Sequence, residues 1–136
     1  MKEYKNIEDT DINEAKEPIM NYDKLYTYGD YLKFEFEEMV EIIRGKLFRM
    51  SPAPKTKHQQ VSMNILRAFL PKLKDKTCNI FHAPTDVVLP IANKKRNKST
   101  TVVQPDIFVI CDPTIIEETA VFGVPDFVIE IIAGKD

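Results

Sequence analysis

Two stretches decide how this sequence folds: Pro105-Asp106-Ile107-Phe108-Val109-Ile110-Cys111 and Pro125-Asp126-Phe127-Val128-Ile129-Glu130-Ile131-Ile132. Each opens on Pro-Asp and continues as an apolar run of Val, Ile and Phe. Such runs suit central strands buried on both faces of a sheet. Upstream, residues 79–83 and 86–89 read as shorter strands split by Pro84, and residues 91–100 as a loop carrying Lys94-Lys95-Arg96-Asn97-Lys98. Val61, Ile65, Phe69 and Leu73 recur every fourth residue with Leu66 and Leu70 beside them, which predicts an amphipathic helix from Lys57. Pro71 should kink that helix or end it near Leu70.

Further out, Met39-Val40-Glu41-Ile42-Ile43 and Lys46-Leu47-Phe48-Arg49-Met50 flank Arg44-Gly45. Two β-rich runs across a two-residue turn ending in Gly predict a hairpin. Ser51-Pro52-Ala53-Pro54 ends it. Thr27 and Asp30 have capping-box spacing, so a short helix is expected over residues 28–34. Residues 1–23 are polar and lack periodicity, so they read as a flexible tail rather than a signal peptide, with the folded domain over 24–136. The result is an α/β (α+β) chain: a mixed central sheet with flanking helices.

The 136 residues are 43% hydrophobic and 29% charged, enough for one domain with a core. No apolar run approaches the roughly 18 residues of a membrane span, so no membrane partner is expected. Four scattered glycines exclude a phosphate-cradling Gly-rich loop. There is no GxSxG elbow and no HExxH. Cys78 and Cys111 are too few and too far apart for a disulfide scaffold or a zinc knuckle, so the reducing cytoplasm is the expected compartment.

The formal charge of −2 hides a segregation: residues 1–41 sum to −7, residues 42–98 to +11 and residues 99–136 to −6. A basic block between acidic flanks fits a polyanion-binding surface beside carboxylates that hold a metal. It equally fits lysines that solvate exposed faces. Two acids stand where burial is costly: Glu130 inside an apolar strand and Asp106 at the mouth of another. A shared divalent cation is the simplest compensation, and hard oxygen ligands suit Mg²⁺. Asp126 and Glu130 share a strand face but lie about 13 Å apart, too far for one ion. Asp106 can stand beside Glu130 if their strands are neighbours, about 4.8 Å apart. Asp126 reads instead as a strand-entry turn residue. Glu41, between Val40 and Ile42, is a weaker candidate, because hairpin strands often keep one solvated face.

Several segments in order resemble the Uma2 family (DUF820): Tyr26-Thr27-Tyr28-Gly29-Asp30-Tyr31-Leu32, Val40-Glu41-Ile42-Ile43-Arg44-Gly45-Lys46-Leu47, Met50-Ser51-Pro52-Ala53-Pro54 with His58-Gln59, Ala83-Pro84-Thr85-Asp86-Val87-Val88-Leu89, Val103-Gln104-Pro105-Asp106-Ile107, and Val124-Pro125-Asp126 through Ile132. The resemblance implies the PD-(D/E)XK restriction-endonuclease-like fold and a metal-dependent endonuclease that hydrolyses DNA, with Mg²⁺ or Mn²⁺ as cofactor. It assigns catalytic roles to Asp106, Glu130 and Glu41, with Asp106 and Glu130 as the metal ligands. His58, Lys94, Lys95 and Arg96 are then the nucleic-acid contacts. The favoured reading of His58 from the residues alone is a hydrogen-bonded histidine near a helix start.

The sequence departs from the motif at Ile132, where a lysine is expected two residues after the acid; Lys135 follows at five. The family pattern continues beyond this strand, so the C-terminal part of the domain is expected to be missing. The last strand then needs cover from absent elements or from a partner chain, a homodimer included. The rival reading is a catalytically inactive nuclease-fold module that binds metal, nucleic acid or a partner subunit.

Overall fold

The computed structural model describes residues 24–35, 39–50 and 53–132. The expected tail over 1–23, Ser51-Pro52 and Lys135 lie outside the described residues. Among the described residues the fold is α+β, with two α-helices, short strands paired both ways, and two 3-10 turns. The elements of its first half are α1 (Tyr28–Tyr31), β1 (Val40–Ile43), β2 (Lys46–Arg49), α2 (Thr56–Leu73) and β3 (Asn79–His82). They are followed by β4 (Val87–Val88), β5 (Val102–Val103), β6 (Ile107–Ile110), β7 (Val121–Phe122) and β8 (Phe127–Ile129). The chain divides into two compact units: residues 1–53 with 89–103, and residues 54–88 with 104–136.

In the first unit β1 and β2 form the expected hairpin, with Val40 opposite Arg49 and Ile43 opposite Lys46. Arg44 (φ 49°) and Gly45 (φ 82°) are both left-handed, the conformation a tight two-residue hairpin turn requires. A Cβ on Gly45 would lie 2.8 Å from Leu25 Cδ2, which the exposed Leu25 side chain can relieve, so the left-handed backbone is what requires glycine here. β5 pairs antiparallel with β1 through Ile42 and Val102. Ile42, Leu47 and Val102 are essentially inaccessible and form the core here. Helix α1 starts as its capping box dictates: Thr27 Oγ1 accepts from the Asp30 N–H at 3.3 Å, and the Thr27 N–H donates to Asp30 Oδ2 at 2.9 Å. It is one turn long, shorter than the expected 28–34. Residues 96–98 add a 3-10 turn, and the Tyr28 N–H donates to the Ser99 carbonyl at 2.8 Å.

In the second unit β6 is the centre of an antiparallel sheet in the order β3-β6-β8. Ile107, Phe108, Val109 and Ile110 are all buried, as expected of a central strand. Phe81 of β3 stacks on Phe108 with ring centroids 5.2 Å apart. β4 and β7 pair in parallel, Val87 with Val121 and Val88 with Phe122. Along α2 the less exposed residues are His58, Ser62, Ile65, Leu66, Phe69 and Leu73, one face at helical spacing. Phe69 meets Phe127 of β8 at 5.7 Å.

Three sequence expectations are corrected here. Pro71 does not end α2, which runs to Leu73; it removes one N–H donor to the preceding turn, and only two helical residues follow it. β8 is not buried on both faces: it is the outer strand of its sheet among the described residues, with Phe127 49% and Val128 45% exposed. An apolar run states what a strand can bury, and neighbours decide whether it does. Cys78 and Cys111 are not apart but joined by a disulfide, because the β3–β6 register that sets Asn79 opposite Ile110 brings the next pair together.

Candidate active site

The register of the β6–β8 ladder is the main fact about the candidate acids. Ile107 stands opposite Ile129, so the next pair outward along the same register is Asp106 and Glu130. Directly opposed residues of antiparallel neighbours project to the same face. Asp106 immediately precedes β6 and Glu130 immediately follows β8, so the two acids flank adjacent strands although they lie 24 apart in sequence.

Asp106 is held from three directions. Its carbonyl accepts from the Ala83 N–H at 3.0 Å, which extends the β3–β6 ladder past His82 and Ile107. Its carboxylate Oδ2 accepts from the Ile131 N–H at 2.7 Å, pinning the chain just beyond β8. Its Oδ1 lies 3.4 Å from His58 Nε2, in the first turn of α2, with both side chains about one-fifth exposed (22% and 21%). His58 Nδ1 lies 3.3 Å from Gln59 Oε1. The histidine is thus both hydrogen-bonded near a helix start and in contact with the candidate aspartate.

Glu130 is exposed, contrary to the expectation that its apolar strand would bury it, because β8 lacks an outer neighbour among the described residues. Glu41, in the first unit, is the reverse case. A hairpin strand is expected to keep one face solvated, yet Glu41 is only 2% exposed. A carboxylate so buried requires polar company to remain charged. Lys94 and Lys95 are exposed, and Arg96 opens the exposed 3-10 turn of the same unit.

Asp126 behaves as the turn reading predicts. Its N–H donates to the Val109 carbonyl at 2.9 Å, and its Oδ2 accepts from the Cys111 N–H at 2.7 Å. The two Pro-Asp aspartates are therefore reciprocal clamps. Asp106 grips the end of β8, and Asp126 grips the end of β6.

No group of three or more His, Cys, Asp or Glu side chains is placed to hold a metal ion among the described residues. Two carboxylates nonetheless fit Mg²⁺, which favours hard oxygens and retains several waters, binding through one or two carboxylates plus phosphate. The donor chemistry of Asp106 and Glu130 is therefore suitable.

Sequence reasoning missed a second polar feature of this unit. Gln104, 8% exposed, donates from Nε2 to Asp86 Oδ1 at 2.7 Å. The pair lines a cavity of about 360 Å³ with Phe81, Thr85 and Ile116. Asp86 lies in Thr85-Asp86-Val87 and Gln104 in Gln104-Pro105-Asp106, and their partnership across 18 residues has no local signal.

No helix among the described residues is long and apolar enough to cross a membrane. No curated protein matches the chain. Residues 25–136 match the family described as "Putative restriction endonuclease", and the chain accordingly belongs to the Uma2 family.

Proposed function

We propose that this chain is a metal-dependent endonuclease that hydrolyses DNA phosphodiester bonds, with Asp106 and Glu130 holding Mg²⁺ or Mn²⁺. The observation that carries the reading is the β6–β8 register, whose continuation one step past Ile107 and Ile129 pairs Asp106 with Glu130. The family membership supports the nuclease class. The chemistry supplied by the ion when bound is charge stabilisation on the phosphodiester and a more acidic water. The chain's own residues bind and orient. The Ile131 N–H fixes one oxygen of Asp106, and His58 Nε2 faces the other. His58 also stands at a helix start, where unfilled N–H groups favour a phosphate. Lys94, Lys95 and Arg96 contact the nucleic-acid backbone, so binding weakens steeply with salt. Glu41 keeps the catalytic role that the family resemblance assigns it. The Cys78–Cys111 bond removes the cysteine argument for a reducing cytoplasm; a homodimer would supply the cover that the outer face of β8 lacks among the described residues.

The second reading, a catalytically inactive module, rests on Ile132. This residue occupies the lysine position of the motif and is 87% exposed. Mg²⁺-dependent relaxation of plasmid DNA separates the two. Cleavage lost in Asp106→Asn and in Glu130→Gln supports the enzyme. Ion binding without cleavage, itself lost in Glu130→Gln, supports the module.

A further inference from the structure

Helix α2 has a composition that its packing does not explain. Its 18 residues, TKHQQVSMNILRAFLPKL, include Lys57, Arg67 and Lys72 and not one Asp or Glu, in a chain with 21 acids. A helix that merely solvates its outer face gains from Glu and Lys at i, i+4 spacing; this one has none. The exposed residues Lys57, Gln60, Asn64 and Arg67 recur at i, i+3, i+7 and i+10. They form one stripe, opposite the face of Ile65, Phe69 and Leu73. Among the described residues none of the four side chains has a hydrogen-bonding or ionic partner.

We infer that this outward stripe is a docking face for duplex DNA, an inference that rests on the nuclease reading for its partner but not for its chemistry. Lys57 and Arg67 lie ten residues apart, about 15 Å along the axis at 1.5 Å per residue. At 3.4 Å per strand step, that span covers roughly four nucleotides. The two cations at its ends take phosphates. The two amides between them, Gln60 and Asn64, present paired donors and acceptors one turn apart. A major groove admits an α-helix, and amides of this kind pair with the adenine edge. The stripe runs away from the first turn of α2, where His58 faces Asp106. His58 lies on the packed face of α2, so the duplex is held on the side of the helix turned away from Asp106.

The test is fluorescence anisotropy of the full chain with a 20-base-pair duplex, without divalent ions, across a series of salt concentrations. Alanine is a better helix former than either residue replaced, so Lys57→Ala/Arg67→Ala keeps α2 intact, as circular dichroism will verify. Loss of two phosphate contacts should lower the log–log salt slope by roughly 1.8. The fall in affinity between 50 and 200 mM salt should then be about tenfold smaller than in the wild type. A Lys24→Ala/Lys33→Ala variant, with the same change in charge, should leave the slope unchanged.

A wild-type slope in the α2 double variant overturns the docking face while leaving the nuclease reading intact. The same holds if a matched single strand, and not the duplex, shows the loss. Stripe-dependent binding by a chain that never cleaves overturns the nuclease reading alone and supports the docking face. No binding to any probe overturns both.

Discussion

Asp106 is asked to perform two tasks, and two substitutions pull them apart. As a clamp it accepts the Ile131 N–H at 2.7 Å; as a ligand it offers a charged oxygen. A hydrogen bond to a charged group contributes about 1.5–3 kcal/mol. The Asp106 side chain is 22% exposed, so water shares the task and the lower part of that range applies. The 3.4 Å approach of His58 adds no more than an exposed pair, about 0.2–1 kcal/mol. Asp106→Ala should therefore cost about 2 kcal/mol, near 1 M in urea midpoint for a slope of about 2 kcal/mol/M. Asp106→Asn keeps a neutral acceptor for the Ile131 N–H and should cost less than about 1 kcal/mol. Asp126→Ala is the matched control, since it removes the same kind of bond, to the Cys111 N–H at 2.7 Å, from the opposite end of the ladder. It should destabilise by about 1 kcal/mol, being exposed, and leave divalent-ion binding intact. Urea unfolding followed by circular dichroism gives the stabilities, and Mg²⁺ titration with plasmid relaxation gives the chemistry. The reasoning predicts that Asp106→Asn is nearly as stable as wild type and inactive. Asp106→Asn cleaving at the wild-type rate would remove Asp106 from the ion, and Asp106→Ala matching wild-type stability would remove the clamp.

Two further outcomes follow from the described contacts. Hydrogen bonding from the Thr27 N–H holds the Asp30 carboxyl below its usual value, with the Thr27 hydroxyl, Lys24 and Lys33 acting the same way against some desolvation. A depressed carboxyl contributes stability above its unfolded value, near 3.9, and that stability disappears as pH falls through the lower folded value. Thr27→Ala should lose about 1 kcal/mol at neutral pH, and Asp30→Asn should flatten the acid limb below about pH 4 in pH-dependent thermal melts. Separately, the Cys78–Cys111 bond closes a separation of 33 residues. On chain entropy its removal should cost about 3–4 kcal/mol. Cys78→Ser/Cys111→Ser and dithiothreitol treatment should lower the melting temperature alike; a melt insensitive to both would contradict the bond's structural weight.

What the sequence made legible was what is decided within a few residues. The Arg44-Gly45 turn and the Thr27–Asp30 box are written in local chemistry, since a left-handed pair and a reciprocal hydrogen bond need no distant partner. The α2 periodicity likewise names its packed face. β5 and β7 escaped because a two-residue strand has no period to detect. The Gln104–Asp86 bond, the disulfide and the exposure of β8 depend on which segments become neighbours. Pro71 escaped for a different reason: it falls in the last turn, two residues before Leu73, so little helix remains for it to disrupt.

The candidate acids show the same division more sharply. Pro105-Asp106 and Pro125-Asp126 are locally alike, each a turn dipeptide before a greasy strand. Reasoning from spacing alone separated them, because Asp126 shares a strand with Glu130 and lies too far along it. The folded ladder gives both the same mechanical task, each carboxylate capturing an N–H at the far side of the β6–β8 pair. What differs is the surroundings. The β6–β8 register continued one step pairs Asp106 with Glu130, and His58 lies beside Asp106, whereas the Asp126 carboxylate is spent on a main-chain bond beside a cysteine bridge. A clamp that already holds one carboxylate oxygen in place reduces the reorganisation needed for the other oxygen to meet an ion. Structural and chemical roles at Asp106 are therefore complementary, and an aspartate at this ladder end serves both, where a glutamate's extra methylene would shift the charge away from the Ile131 N–H.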